Sequence, residues 1–279
     1  MKLSNNSIKS NKNLVEKFFL DNNRFKREKY FYQTLSKKNL NIPKVLSISK
    51  NKMCFKKYKF KKLTSQKQFF EELINFLIKI NKHKKYKIYA KEYLKSHKQL
   101  YHEVKNRFEI LSKVKVEKKY LTKMIKIKKY IKIILKSNNK FVQLANYPKI
   151  ISQSDIGFHN CGISKNKVYF YDFEYSGLDN PIKLICDVYY QPEKKVDKKH
   201  ILRFINELEM NFKFKLQKNF FIFEKLLKIK MMLIILNIFV TSNVSNKLKL
   251  MHNKDINKLK SERVNKAHNY IKFPFIYEK

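Results

Sequence analysis

Glycine is nearly missing from this chain. There are three in 279 residues, and all of them, Gly157, Gly162 and Gly177, fall within one short segment. That scarcity excludes flexible glycine-rich linkers; no proline- or serine-rich stretch replaces them, and no internal repeat appears. Cysteine is equally rare. Cys54, Cys161 and Cys186 lie far apart with no C-x-x-C pair, so neither a disulfide framework nor a zinc site is indicated, and a reducing cytoplasm fits. Long apolar runs are absent too: the longest, Met231 to Leu236, stops at Asn237. That is about one third of a membrane span, so it reads as a buried helix and no membrane span is expected. The first ten residues, M-K-L-S-N-N-S-I-K-S, contain no apolar h-region, so no signal peptide is expected and the expected location is cytoplasmic.

What abounds is lysine. Sixty-four Lys and Arg against 22 Asp and Glu give a net charge of +42, a balance that attracts phosphate backbones. Yet only Arg24, Arg27, Arg107, Arg203 and Arg263 are arginine. A surface selected for nucleic acid favours arginine forks for phosphates and base edges. Here lysine is spread evenly among asparagine and isoleucine, residues that share AT-rich codons, and compositional drift accounts for the pattern at least as well. The charge does not make nucleic acid the expected partner. With 43% hydrophobic and 14% aromatic residues, the chain has material for one large core or two lobes, and wholesale disorder is excluded.

The first sixty residues read as a small mixed module. N-L-V-E-K-F-F, residues 13–19, alternates as a strand, with Val15 and Lys17 on one face and Leu14, Glu16 and Phe18 on the other. Residues 23–38 carry helix periodicity through Phe25, Tyr32 and Leu35. After Pro43, residues 44–49 and 52–58 form a strand pair turning at Lys50 and Asn51. Beyond Thr64 helix dominates: Ser65 and Gln68 make a capping box, and Phe69, Leu73, Phe76, Leu77 and Ile80 form an apolar stripe. Further helices are expected near 87–112, 116–137, 181–190, 197–211, 219–241 and 253–271. The expected class is α+β, with a small β-containing lobe at residues 1–60 and a larger, mainly helical lobe at 61–279.

The glycine segment carries the chemistry. Glycine serves where the backbone takes positive φ or approaches something closely. S-D-I-G-F-H-N-C-G-I-S (154–164) and V-Y-F-Y-D-F-E-Y-S-G-L-D-N-P (168–181) therefore read as a shaped site. C-G-I and V-Y-F-Y flank S-K-N-K, a short hairpin. Asp155 is followed five residues later by Asn160, and Asp172 opens a D-F-E twelve residues beyond that. This is a phosphotransfer arrangement: the first aspartate orients an attacking hydroxyl, while the asparagine and second aspartate offer hard oxygen ligands to Mg²⁺. D-x-x-x-x-N alone is common, but the D-F-E and an upstream Lys17 and Glu28, eleven residues apart, make the pattern specific. Asp155 and Asp172 end apolar or glycine-shaped stretches where packing gives no reason for a carboxylate. His159 reads as a loop brace, Cys161 as a small buried residue, and Tyr169 to Tyr171 as a core strand.

On these residues the sequence resembles the aminoglycoside phosphotransferase and choline kinase group, whose fold is protein-kinase-like. S-Q-S-D-I-G-F-H-N and D-F-E-Y-S-G-L-D-N-P-I-K-L are especially similar to a bacterial branch with S-P-S-D-F-G-F-H-N and D-F-E-Y-x-G-x-D-D-P-x-K-L. The likeness is tight over 150–190 and looser over most of the rest. It implies that Asp155 is the catalytic aspartate, that Asn160 and Asp172 bind Mg²⁺, and that Lys17, paired with Glu28, holds the nucleotide's phosphates. Asp187 would support the catalytic loop from below, and Glu174 would lie beside the metal. Two departures stand out. Gln153-Ser154-Asp155 replaces the family's H-G-D, so the bracing histidine is missing. The phosphate-covering loop L-S-N-N-S-I-K-S-N-K-N has no glycine, leaving Asn5 and Asn6 to supply any tolerant turn. The resemblance implies an ATP- and Mg²⁺-dependent transfer of a phosphoryl group to a hydroxyl of a small molecule. The alternative is a catalytically weak, pseudokinase-like module that binds nucleotide or a partner, and a third is a basic nucleic-acid-binding protein.

Overall fold

The computed structural model describes residues 6–35, 39–82, 86–240 and 253–277. They divide into two compact units, one formed by Leu94–Asn146 with Leu216–Lys279, the other by Ser4–Tyr93 with Tyr147–Lys215. The β-structure lies in the second unit, within a mixed α+β chain whose N-terminal region is a small sheet and whose C-terminal region is helical.

The sheet is antiparallel, with strands β1 (Ser7–Ser10), β2 (Leu14–Phe18), β3 (Val45–Ser49) and β4 (Lys52–Lys56) in the order β1-β2-β4-β3. β1 lies where the phosphate-covering loop was expected, so that segment is a paired strand, with Ile8 opposite Lys17. Asn6 lies before β1 and not in its turn into β2, and Asn5 lies outside the described residues. Asn11 makes the turn instead: its side-chain oxygen accepts from the amides of Asn13 (3.0 Å) and Leu14 (2.9 Å), an Asx-turn that needs no glycine. β3 turns into β4 at Lys50 and Asn51, where Asn51 takes φ 55°.

Helix α1 (Asn22–Leu35) starts on Asp21, whose carboxylate accepts from the amides of Asn23 and Arg24. The expected extension over Ser36 to Lys38 lies outside the described residues. α1 buries Phe25, Glu28, Phe31, Tyr32 and Leu35. Helix α2 (Gln66–Asn81) is capped by Ser65, which accepts from the Gln68 amide at 3.2 Å, and it buries the whole expected stripe. Between these helices sits Phe173 of the D-F-E. It is stacked on Phe31 at 3.9 Å, set edge-on to Tyr32 at 5.5 Å, and lies 6.1 Å from Phe76. One fully buried ring therefore ties the position of Glu28's helix to that of Asp172.

The hairpin β6 (Cys161–Ser164) and β7 (Lys167–Phe170) turns at Lys165 and Asn166, both with positive φ (49° and 58°), the geometry of a two-residue primed turn. β5 (Ile150–Ser152) pairs with β8 (Gly177–Asp179). A helix was expected from near residue 87, but residues 88–90 pair with β8 and 91–92 form a turn: Ala90 N–H donates to the Leu178 carbonyl, Leu178 N–H to that of Ile88, and Tyr93 N–H back to that of Ala90. Those bonds satisfy the backbone without helix, and the next helix, α3 (His97–Ser112), waits for its cap, Ser96. Helices α5 (Pro181–Tyr189) and α6 (Lys198–Phe212) complete this unit.

The other unit is helical: α3, α4 (Lys118–Ser137), α7 (Phe220–Ile235) and α8 (Asn253–Ile271). α7 tightens into a 3₁₀ turn at Leu236–Phe239 rather than running to 241, a position outside the described residues. Its buried Lys228 donates to the Phe273 carbonyl at 2.6 Å. All three cysteines are buried, and none is joined to another in a disulfide. No described helix is long and apolar enough to cross a membrane.

Candidate active site

The glycines come first, because positive φ is not their purpose. None of the three takes it. They serve close approach: a Cβ on Gly177 would lie 2.2 Å from the Ala90 nitrogen, and one on Gly157 would lie 2.7 Å from the His159 ring. Outside the hairpin turn at Lys165 and Asn166, positive φ in the segment falls on Ser154 (63°) and Asp172 (70°). Backbone strain of this kind gathers at functional sites.

Asp155 follows Ser154 directly, and its side chain is 39% exposed. Two neighbours hold it. His159 Nε2 lies 3.1 Å from one carboxylate oxygen, and the buried Asn160 amide donates to the other at 3.1 Å and to the Asp155 carbonyl at 2.8 Å. His159 is thus the brace the sequence suggested. The Asn160 carbonyl accepts from the Tyr171 amide at 3.0 Å, which ties this loop to the residue before Asp172. Gln153 makes a second tie. Fully buried, it donates to the carbonyl of Tyr171 and, at 3.4 Å, to that of Asp172. A buried amide therefore stands where the resemblance led to the expectation of a histidine, and it bonds the backbone that carries Asp172.

Lys17 points inward from β2 and is buried. Its ammonium lies 2.5 Å from Glu28, 2.7 Å from Asp172 and 3.4 Å from Glu174. Burial works against the ammonium, but the three carboxylates outweigh it and hold Lys17 protonated well above the usual lysine range. Burial also pushes the Glu28 carboxyl up, to about 7, in spite of Lys17. Glu174 is clasped further by Arg24 at 3.0 Å and by the Asn6 amide. Oxygens of Glu28, Asp172 and Glu174 all lie within 4.8 Å of one another. Asp172, Asn160 and this acidic group are hard oxygen donors of the kind Mg²⁺ selects, and a cation, the Lys17 ammonium, already sits among the carboxylates. Cys161 is inert here, since burial pushes its thiol up to about 12.

No protein-family model matches the chain, and curated sequences contain no significant relative. Solved structures do match. Choline kinase LicA from Streptococcus pneumoniae aligns over 98% of this chain and 91% of its own, with TM-score 0.59 at 13% identity. The ADP-bound aminoglycoside phosphotransferase APH(2'')-Ib covers 94% and 88%, with TM-score 0.50 at 16% identity. Amicoumacin kinase hAmiN, in complex with AMP-PNP, Ca²⁺ and Ami, covers 96% and 89%, with TM-score 0.54 at 10% identity. This chain has the fold of small-molecule kinases.

Within that kinase fold, several groups at the site were not singled out from sequence. Arg24 and Arg27 are two of only five arginines, and both leave α1 for the D-F-E segment: Arg24 to Glu174, Arg27 to the carbonyls of Tyr89 and, at 3.3 Å, Ser176. Arginine persisting in a lysine-rich chain was the available signal, because a fork meeting two acceptors cannot be replaced by a point charge. Under the Asp155 loop lies a buried polar cluster of Ser154, Asp179 and Lys183 with Asp187. Asp187 had been read as a support there; Lys183 and Ser154 had not.

Proposed function

We propose that the chain is an ATP- and divalent-metal-dependent phosphotransferase that passes the γ-phosphoryl group to a hydroxyl of a small molecule. One observation carries the reading: Lys17, Glu28 and Asp172, far apart in sequence, meet in a single cluster, with Lys17 2.5 Å and 2.7 Å from the two carboxylates. A structural ion pair alone needs no third carboxylate at 3.4 Å. A site that holds a divalent metal beside phosphates does have a use for it, as one more anionic oxygen next to the metal. The acceptor's oxygen bonds to phosphorus as the bond to the ADP leaving oxygen breaks, and the hydroxyl proton passes to Asp155. His159 and Asn160 fix that carboxylate, so its role is orientation first and proton acceptance second. Asn160 and Asp172 would hold the metal, Lys17 would engage the α- and β-phosphates, and Glu28, 2.5 Å from it, would orient Lys17. When bound, the metal offsets negative charge on the phosphoryl oxygens. The nucleotide lobe is then the region 1–60, and the acceptor is chosen by residues within 61–279.

The glycine-free turn at Asn11 favours one other reading, a module that binds nucleotide without turnover. The two separate by experiment. ADP formation is followed against a panel of sugars, amino alcohols and aminoglycosides, while calorimetry follows MgATP binding. Asp155→Asn should leave nucleotide affinity within about twofold and remove turnover, costing roughly 10²–10⁴-fold. Asp172→Asn should weaken MgATP binding itself. Binding without turnover for every acceptor would favour the module, and no ATP affinity at all would sink both.

A further inference from the structure

Asp155 needs more than its two direct partners, because the residue before it sits in an unfavourable conformation. Ser154 has φ 63°, a left-handed value that a non-glycine residue holds only when its surroundings impose it. Its hydroxyl is engaged on both sides. Lys183 donates to Ser154 Oγ at 2.9 Å, and Ser154 in turn donates to Asp179 Oδ2 at 3.2 Å. The Lys183 ammonium also reaches Asp179, the last residue of β8, at 3.1 Å and Asp187, one turn further along α5, at 2.5 Å. Its three hydrogens thus meet three oxygens. Ser154 and Asp179 are buried, and Lys183 is 3% exposed. Burial opposes the ammonium, but the carboxylates of Asp179 and Asp187 hold it protonated well above the usual lysine range, so it keeps its charge as pH rises.

α5 is itself locked at its start. Asp179 Oδ1 accepts from the Asn180 amide, Asn180 accepts from Ile182, and Pro181 takes the first helical position. A rigid helix therefore reaches, through one ammonium and one hydroxyl, the residue adjacent to Asp155.

We propose that Lys183 and Ser154 are positioning residues: the Lys183 tripod pins Ser154 in its left-handed conformation and so fixes the direction in which Asp155 presents its carboxylate. This rests on the phosphotransferase reading for its consequence but not for its geometry. Neither residue touches the reacting atoms; both act through Asp155.

The test uses Ser154→Ala, which removes the tether and leaves Lys183 with both carboxylates, and Ser154→Gly, which removes the tether and the φ strain together. Lys183→Met is a poor first choice, because it leaves two buried carboxylates face to face and risks loss of folding. Amide hydrogen exchange is followed over residues 154–160, with β2 and β4 as internal reference. Release of ADP from MgATP is measured in parallel, water serving as acceptor where none other is supplied. We expect loop exchange about tenfold faster in both variants with the reference strands unchanged. Turnover should fall roughly tenfold, with the MgATP dissociation constant within about twofold of wild type. Unchanged loop exchange in Ser154→Ala overturns the tether. Faster exchange with undiminished turnover overturns the positioning role, as does full recovery of turnover in Ser154→Gly, which would leave φ alone as the constraint. If wild type neither binds nor turns over MgATP, the phosphotransferase reading fails while the exchange arm still decides the tether.

Discussion

At the scale of single residues, charge balance governs the site. Lys17 faces three carboxylates, Arg24 shares one of them, and the least accommodated is the buried Glu28. A carboxyl whose folded value is raised to about 7 from the usual 4.5 holds a proton in the folded state that the unfolded chain has already lost. Its contribution therefore favours folding at low pH and is lost as pH rises from about 4.5 through about 7. For the protein without nucleotide or metal, this part of stability should fall between pH 5.5 and pH 7.5, and Glu28→Gln should remove it. Thermal melts of both proteins across that range read the difference as a gap in pH slope amounting to roughly 2–4 °C per kcal/mol. Equal slopes would mean that Glu28 is charged throughout. The partners of Asp155 follow the same residue-scale logic. The sequence placed His159 and Asn160 beside it, and they bond it at 3.1 Å each.

At the scale of elements, the strands and helices with strong local signals were legible and the long-range pairings were not. Alternation around Lys17, the stripe along α2 and the Lys-Asn hairpin turn all follow from neighbours in sequence, and all stand in the fold. The non-helical stretch at 86–93 does not. Its local pattern suits a helix, and only the pairing of residues 88–90 with β8, some ninety residues on, takes it out of helix. Likewise the strand β1 owes its existence to β2, not to its own S-I-K-S. Gln153 was read only as the loss of a histidine, and Lys183 was not singled out, because an amide or an ammonium acquires a role only from what folding brings against it. Gly177 makes this testable. A Cβ there would meet backbone, at 2.2 Å from the Ala90 nitrogen and 2.4 Å from the Tyr89 carbonyl carbon, so Gly177→Ala must separate 86–93 from β8. The cost should be roughly 1–3 kcal/mol or more. Gly162→Ala would meet only the Phe60 side chain, at 3.0 Å, which can turn aside. Denaturant unfolding should rank Gly177→Ala well below Gly162→Ala; equal stabilities would show that the 86–93 pairing is dispensable.

At the scale of the whole molecule, the two prominent features, a net charge of +42 and an acidic cluster deep in one unit, have different origins and should respond differently to salt. Excess like charge destabilises a compact state through self-repulsion, and salt screens it. The Debye length shrinks from about 30 Å at 0.01 M to about 8 Å at 0.15 M, so the midpoint of thermal unfolding should rise over that range. A lysine-coated surface will also bind polyanions, but without discrimination. Short RNA, duplex DNA and heparin should compete for it equally, with affinity falling steeply as salt is added. MgATP should behave otherwise, because its proposed partners are a buried lysine and oxygen donors largely withdrawn from solvent, where screening is weak. Raising salt from about 0.05 M to 0.3 M should remove most polyanion binding yet change the MgATP dissociation constant only a few-fold. Fluorescence anisotropy with labelled oligonucleotides, beside calorimetry with MgATP, measures both on one preparation. An oligonucleotide sequence bound selectively and retained at the higher salt would reverse the assignment, making the lysines a recognition surface and the charge a selected property.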